Sequence, residues 1–213
     1  MKAIETVYKS YRFRSRLEAR WSVFYDSLGI QWEYEKEGFD LDDGVLYLPD
    51  FYIPHLDCWI EIKGDFDYDH EKIEKFAQKG NTIYVFCGQI PDPERLDCSG
   101  PSYDNDSAHA FLNIEINGEN LISQDIHYVW CECFSCGMFG ITFDARSDRL
   151  PCKESYDVWW SRTDENSLYE WHEDKKCKRT SPNGDKEYNG NSLRLIKAYR
   201  AARSARFEYG ESG

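Results

Sequence analysis

Asp50, Glu61 and Lys63 are the residues whose types and spacing could carry out metal-assisted chemistry. Asp50 begins an extended apolar segment, and Glu61 and Lys63 lie two residues apart on the next such segment. Because successive side chains of a strand point to opposite faces, Glu61 and Lys63 are expected on one face, with the neighbouring isoleucines turned toward a core. Two acids and a lysine would then surround one outer pocket.

A turn over residues 54–57 would fold the two segments into a hairpin and bring Asp50 beside Glu61. Two carboxylates held that close repel each other unless a divalent cation lies between them. Oxygen ligands with open water positions suit Mg²⁺ or Mn²⁺, and such an ion assists phosphodiester hydrolysis by activating water and stabilising charge on the phosphoryl oxygens. The alternative is that Asp50 is only a turn residue and that Glu61 and Lys63 form an ion pair on a solvated strand.

The elements that must position these residues form an α/β unit. Apolar residues recur at helical spacing between Ser15 and Leu28, so a helix is predicted there, with Gly29 as its stop. Strands are predicted at 30–39, 45–53, 58–62 and 82–87, and a second helix at 69–79. The predicted order is helix, three strands, helix, strand.

This order and these motifs resemble the PD-(D/E)XK nuclease superfamily. Pro49-Asp50 matches the PD of the family, Glu61-Ile62-Lys63 matches its (D/E)XK, and Glu18 matches the glutamate that many members place on the first helix. The resemblance covers about residues 9–88. Ser15-x-x-Glu18 is also the spacing of a capping box, which is an alternative use of this glutamate.

The resemblance implies a restriction-endonuclease-like core and a role for each matched residue. Asp50, Glu61 and Glu18 would be catalytic acids that ligate Mg²⁺ or Mn²⁺. The backbone carbonyl of Ile62 would be a further ligand. Lys63 would orient or activate the attacking water.

A second kind of metal site is indicated by cysteines in the C-terminal half. Cys133-x₂-Cys136 has the knuckle spacing of a zinc ribbon, and Cys152 and Cys177 follow at longer intervals. Four thiolates would hold a structural Zn²⁺ in a closed tetrahedron. Cys131 or His172 could replace one of the four ligands, and free buried thiols are the alternative to a metal.

The composition also predicts a division of the chain. Pro, Asp, Ser, Asn and Gly dominate residues 91–107, which favours a loop or boundary, Asn117-Gly118 indicates a hairpin, and a helix is predicted from about Ser192 to Phe207. The predicted class is α/β, with an α-β-β-β-α-β nuclease core at 1–98, a loop and hairpin at 99–125, and a small zinc-ribbon-like module with a basic terminal helix at 126–213.

The net charge of −13 argues against nucleic acid until its distribution is considered. Residues 41–130 carry five basic and eighteen acidic side chains, which account for the whole excess. Two clusters of basic residues, one toward each end of the sequence, could bind DNA phosphates. The residues chosen for this role are Arg12, Arg14, Arg194, Lys197, Arg200 and Arg203. The alternative for the terminal helix is an amphipathic helix with a solvated basic side.

These observations together predict a metal-dependent DNA endonuclease. The alternatives are a catalytically inactive nucleic-acid-binding protein with a nuclease-like fold and a zinc module, and an acidic protein-interaction module. No apolar run approaches the roughly 20 residues of a membrane span, so no membrane partner is expected. The N-terminus has no secretory signal, so a cytoplasmic location is expected. A homodimer is left open.

Overall fold

The computed structural model describes residues 4–42, 44–96, 108–116, 119–132, 137–143 and 190–207. In chain order the elements are β1 (Thr6–Tyr8), β2 (Tyr11–Phe13), α1 (Arg16–Leu28), β3 (Glu33–Tyr34), β4 (Phe39–Asp40), β5 (Leu46–Tyr47), β6 (Phe51–Ile53), β7 (Cys58–Lys63), α2 (His70–Gln78), β8 (Ile83–Cys87), β9 (Ala108–Ile116), β10 (Glu119–Glu132), β11 (Phe139–Phe143) and α3 (Leu193–Ser204). The predicted α/β class is confirmed.

Helix α1 begins and ends where its sequence signals predict. The Ser15 hydroxyl accepts a hydrogen bond from the Glu18 N–H at 3.2 Å, which caps the first turn. Gly29 follows the last turn with φ 71°, a left-handed conformation that glycine adopts without a Cβ clash. These caps fix the ends of the helix that carries Glu18.

The central sheet has seven strands in the order β11-β10-β9-β8-β7-β6-β3. Strands β7 and β8 are parallel and are joined through α2, and every other neighbouring pair is antiparallel. Two separate two-stranded sheets, β1-β2 and β4-β5, complete the strands of the described residues. The sheet is therefore mixed, with β7 near its centre.

Each face of the sheet covers its own hydrophobic core. On one face Ile60 and Ile62 of β7 pack with residues of α1 and α3. On the other face Trp59 of β7 packs with residues of α2 such as Phe76. Because Trp59, Glu61 and Lys63 alternate with the isoleucines, Glu61 and Lys63 project toward the α2 side of the sheet.

Two predicted strands are divided. The segment 30–39 is broken at Glu35, whose φ of 46° interrupts the extended conformation between β3 and β4. The segment 45–53 is broken around Pro49, which has no N–H to donate to a ladder, so β5 pairs with β4 and only β6 joins the central sheet. The prediction of three continuous strands was wrong in this respect.

The sheet continues into the second half of the chain. Strand β9 pairs antiparallel with β8, in the register Val85↔His109, and β10 and β11 follow outward. Strands β9 and β10 pair antiparallel with Ile116 opposite Glu119, and the Asn117-Gly118 pair predicted to form the hairpin turn lies outside the described residues. Helix α3 packs on α1, and the rings of Phe24 and Tyr199 lie 4.6 Å apart between centroids. The domain limits at 98 and 125 stay a prediction.

No helix in the described part of the chain is long and apolar enough to cross a membrane.

Candidate active site

The β6–β7 hairpin brings Asp50 and Glu61 together. Phe51 pairs with Ile60 in this antiparallel ladder, and one further step of the same register puts Asp50 opposite Glu61. Both carboxylates are buried, with 5% of Asp50 and 4% of Glu61 exposed. Buried acids are uncommon unless they are paired or bind a metal, so this pair marks a candidate functional site.

Asp50 is held rigidly between β3 and β7. Its Oδ2 accepts a hydrogen bond from the Ile62 N–H at 2.7 Å, and its backbone carbonyl accepts one from the Glu35 N–H at 2.9 Å. Burial raises the pKa of Asp50 well above its ordinary value, and the charges of Glu61 and Glu18 raise it further, against smaller lowering effects of the Ile62 N–H and Lys63. Around Asp50, the negative charges of Glu61 and Glu18 therefore outweigh the positive charge of Lys63.

Glu61 and Lys63 lie on the same face of β7, as their spacing predicts. Lys63 Nζ is 2.5 Å from Glu61 Oε1, and the Tyr47 hydroxyl donates to Glu61 Oε2 at 2.8 Å. Burial alone would lower the pKa of Lys63, but the nearby carboxylates of Glu61, Asp50 and Glu18 outweigh it and raise that pKa. Lys63 is therefore a persistent ammonium, which can orient water or bind phosphate but does not accept a proton.

Glu18 forms only the serine half of the capping box that its sequence offered as an alternative: its N–H donates to the Ser15 hydroxyl, but its carboxylate accepts from the Ser15 hydroxyl and the Arg14 N–H rather than from the Ser15 N–H. Its Oε1 accepts from the Ser15 hydroxyl at 2.6 Å, and its Oε2 accepts from the Tyr34 hydroxyl at 2.6 Å and the Arg14 N–H at 3.1 Å. Glu18 is 6% exposed, and its charge contributes to the raised pKa of Asp50. It belongs to the same carboxylate group, with its oxygens engaged by protein donors.

The oxygen atoms of the site suit a hard divalent cation, but those of Glu61 and Glu18 already accept hydrogen bonds from protein donors. Glu18, Asp50 and Glu61 offer only oxygen atoms, the ligands that Mg²⁺ and Mn²⁺ prefer. Within the described residues, however, no group of three or more His, Cys, Asp or Glu side chains is arranged to hold a metal ion. An ion that binds Glu61 through Oε1 would have to displace Lys63 Nζ, while the Tyr47 hydrogen bond to Oε2 can stay in place. For Ile62, the structure shows an N–H donated to Asp50, and the ligand role of its carbonyl stays a prediction.

Sequence reasoning missed Tyr47 as a member of the site. Tyr47 is buried, and it reaches Glu61 only because β5 leaves the central sheet and pairs with β4. A tyrosine three residues before an aspartate carries no signal of such a contact. The position follows from the break at Pro49, which the pattern of apolar residues did not reveal.

The basic residues predicted to contact DNA are mostly ion-paired with carboxylates of the chain. Arg14 pairs with Glu35 at 2.5 Å and Arg12 with Glu5 at 3.7 Å. On α3, the pairs are Arg194 with Glu132 at 2.8 Å, Arg200 with Glu94 at 2.5 Å and Arg203 with Asp92 at 3.9 Å. Lys197 is exposed and has no ion-pair partner among the described residues. These arginines would have to exchange partners to contact phosphates.

The structure does not bring α3 to the same side of the sheet as Glu61 and Lys63. Helix α3 packs on α1 in the core that contains Ile60 and Ile62, whereas Glu61 and Lys63 project to the α2 side. Burial lowers the pKa of Arg14, but the charges of Glu35, Asp50 and Glu18 outweigh this effect and raise that pKa, so Arg14 interacts electrostatically with the carboxylates of the site.

The predicted zinc ligands Cys133, Cys136, Cys152 and Cys177, and the alternative His172, lie outside the described residues. The other alternative, Cys131, is buried in β10 with its Sγ 3.2 Å from the Thr142 hydroxyl oxygen.

Comparisons with known proteins return no relative: no family model matches the sequence, and no curated protein or solved structure matches it.

Proposed function

We propose that the protein is a metal-dependent DNA endonuclease that hydrolyses phosphodiester bonds. The observation that carries this proposal is the proximity of the buried carboxylates of Asp50, Glu61 and Glu18, with Lys63 beside them, where β6 begins and β7 ends. The restriction-endonuclease-like core and the appended zinc-ribbon-like module are part of the same proposal.

The residues of the candidate site would have the following roles. Asp50, Glu61 and Glu18 would hold Mg²⁺, which activates water and stabilises charge on the phosphoryl and leaving oxygens when it is bound. Lys63 would keep its proton and orient the water or the phosphate, because the surrounding carboxylates raise its pKa. Tyr47 would hold Glu61 in place through its 2.8 Å hydrogen bond.

The first test is cleavage by the purified chain of supercoiled plasmid, branched DNA and single strands, with Mg²⁺, with Mn²⁺ and with EDTA. We expect nicking that EDTA abolishes and that Glu61→Gln lowers by about 10²-fold or more. Glu37→Gln is the matched control, because Glu37 is exposed and its side chain makes no hydrogen bond or ion pair with the described residues. Cleavage that survives EDTA or Glu61→Gln would reject the proposal. Binding without cleavage would favour the inactive DNA-binding protein.

Lys63→Met separates metal binding from chemistry. Methionine keeps the unbranched shape and most of the length of the side chain but removes the ammonium, so Mg²⁺ binding measured by calorimetry should persist while cleavage falls by about 10²-fold or more. Glu61→Gln should instead lose Mg²⁺ binding. Equal loss of metal in both variants would contradict the role given to Lys63.

A further inference from the structure

Arg14 is a second cation at the candidate active site. Both its backbone N–H and its side chain contact residues there. Its N–H donates to Glu18 Oε2 at 3.1 Å and to the Tyr34 hydroxyl at 3.2 Å. Its Nη2 lies 2.5 Å from Glu35 Oε1. The backbone of Arg14 is therefore anchored to Glu18 and Tyr34, and its guanidinium lies against Glu35.

Glu35, the partner of Arg14, is itself constrained by the site. Its N–H donates to the carbonyl of Asp50 at 2.9 Å, and its φ of 46° is uncommon for a residue other than glycine. Backbone strain of this kind collects at functional sites. Glu35 Oε1 is buried and close to Arg14, yet it has no hydrogen bond of acceptable geometry. The contact is thus a Coulombic pair without a directional bond, which another anion could replace.

Each cation of the site is paired with one glutamate. Lys63 contacts Glu61, and Arg14 contacts Glu35. The Arg14 side chain is 57% exposed, against 35% for Lys63, so Arg14 is the more accessible of the two. A guanidinium offers a planar pair of N–H donors that matches two phosphate oxygens, as it matches a carboxylate.

We propose that Arg14 binds a phosphate of the DNA backbone at this site and that Glu35 occupies Arg14 until the phosphate replaces it. The inference rests on the proposed nuclease function and assigns the phosphate contact within it. Glu35 is a positioning residue: it holds the guanidinium in the site while no substrate is bound and competes with substrate for it. Removing the Glu35 carboxylate should therefore strengthen DNA binding only while Arg14 is present.

A double-mutant cycle of Arg14→Gln, Glu35→Gln and the double variant tests this coupling. Binding of fluorescent duplex and single-stranded DNA is measured by anisotropy in EDTA over a range of salt, so the readout needs no catalysis. We expect Arg14→Gln to weaken binding and to reduce the slope of log affinity against log salt by about one. Glu35→Gln should tighten binding several-fold in the wild-type background and leave it unchanged in the Arg14→Gln background.

Two controls remove one charge of each sign elsewhere. Lys79→Gln removes a cation paired with Asp42 at 3.1 Å, and Glu37→Gln removes an exposed acid near Glu35 in sequence. Both should leave the salt slope unchanged. Arg14→Lys keeps the charge but loses the two-pronged donor, so it should keep the slope and lose affinity, and circular dichroism verifies that each variant is folded.

The outcomes separate this inference from the proposed function. If the wild type neither binds nor cleaves DNA, both are overturned. If the wild type binds DNA but Glu35→Gln tightens binding equally in both backgrounds, its carboxylate acts by general repulsion and the inference is overturned alone. The same holds if Arg14→Gln leaves the salt slope unchanged.

Discussion

Asp50 is the residue at which stability and function are most clearly opposed. Burial and two neighbouring glutamates raise its pKa, so the folded chain retains a proton at pH values where the unfolded chain has released it. The free energy of unfolding must therefore fall as the pH rises from the ordinary range of an aspartate through the raised pKa. Above that pH the full destabilisation is present.

Asp50→Asn should consequently be more stable than the wild type at neutral pH in EDTA. Asparagine cannot ionise, and its carbonyl oxygen can still accept the Ile62 N–H. The stabilisation should shrink toward pH 4, where both chains carry a neutral side chain. Urea unfolding between pH 4 and pH 8 measures this difference.

Asp67→Asn provides the reference for this measurement. The Asp67 side chain is exposed, so the substitution should change the free energy of unfolding by no more than about 0.5 kcal/mol at any of these pH values. A gain in Asp50→Asn that does not vary with pH would mean that ionisation is not its cause.

Among the elements, α1 and α3 offer a matched pair of serine caps. The Ser15 hydroxyl accepts from the Glu18 N–H at 3.2 Å, and the Ser192 hydroxyl accepts from the Leu195 N–H at 3.3 Å. Replacing either serine by alanine should lower the free energy of unfolding by about 1 kcal/mol. Only Ser15 also donates to a site carboxylate, Glu18 Oε1, at 2.6 Å.

Ser15→Ala should therefore reduce cleavage in addition to stability, whereas Ser192→Ala should reduce stability alone. Unfolding in urea and initial rates of plasmid nicking, both below the unfolding transition, give the two readouts. Equal rates in the two variants would show that the contact between Ser15 and Glu18 does not position the site.

The elements also show how far the sequence could predict this structure. The bounds of α1 were predictable because Ser15 and Gly29 are local signals that act within one turn. The meeting of Asp50 and Glu61 was predictable because a short hairpin links their strands. The contact between Tyr47 and Glu61 was not, since it depends on the separate β4–β5 pairing.

The same distinction applies to the far side of the sheet. Strand β9 pairs with β8 across twenty residues of intervening chain, and no local pattern specifies such a partner. Strand β10 carries a register shift between Asp125 and Tyr128, which disrupts the alternation from which its length would be read. Pairing across the sheet, rather than local propensity, decides both features.

At the scale of the whole molecule, we expect a structural zinc ion to stabilise the C-terminal half of the chain. Strands β10 and β11 pair as far as Glu132 opposite Phe139, and the sequence between these two residues contains the Cys133-x₂-Cys136 pair. We expect one zinc per chain by elemental analysis, lost in Cys133→Ser. Cys98→Ser is the control and should keep the metal. A chain that is zinc-free and unaffected by chelators would contradict this prediction.

Helix α3 packs in the same hydrophobic core as α1. We therefore expect the two helices to unfold together. Leu195, Ala198, Tyr199 and Ala202 are buried within the core cluster that contains Trp21 and Phe24 of α1. Ion pairs with Glu94 and Asp92 hold the basic side of α3 to the loop after β8. Arg200 and Arg203 therefore support the packing of α3.

Leu195→Ala should accordingly lower the free energy of unfolding of the whole chain by roughly 2–5 kcal/mol, because it leaves a cavity against α1. Leu193, two residues away on the same helix and 75% exposed, is the matched control, and Leu193→Ala should cost no more than about 0.5 kcal/mol. Tryptophan fluorescence and circular dichroism in urea should report one coincident transition in both variants. If α3 instead unfolded in a separate, earlier transition that left α1 intact, the two ends would be independent, and substitutions in α3 could then affect DNA binding without affecting the carboxylate site.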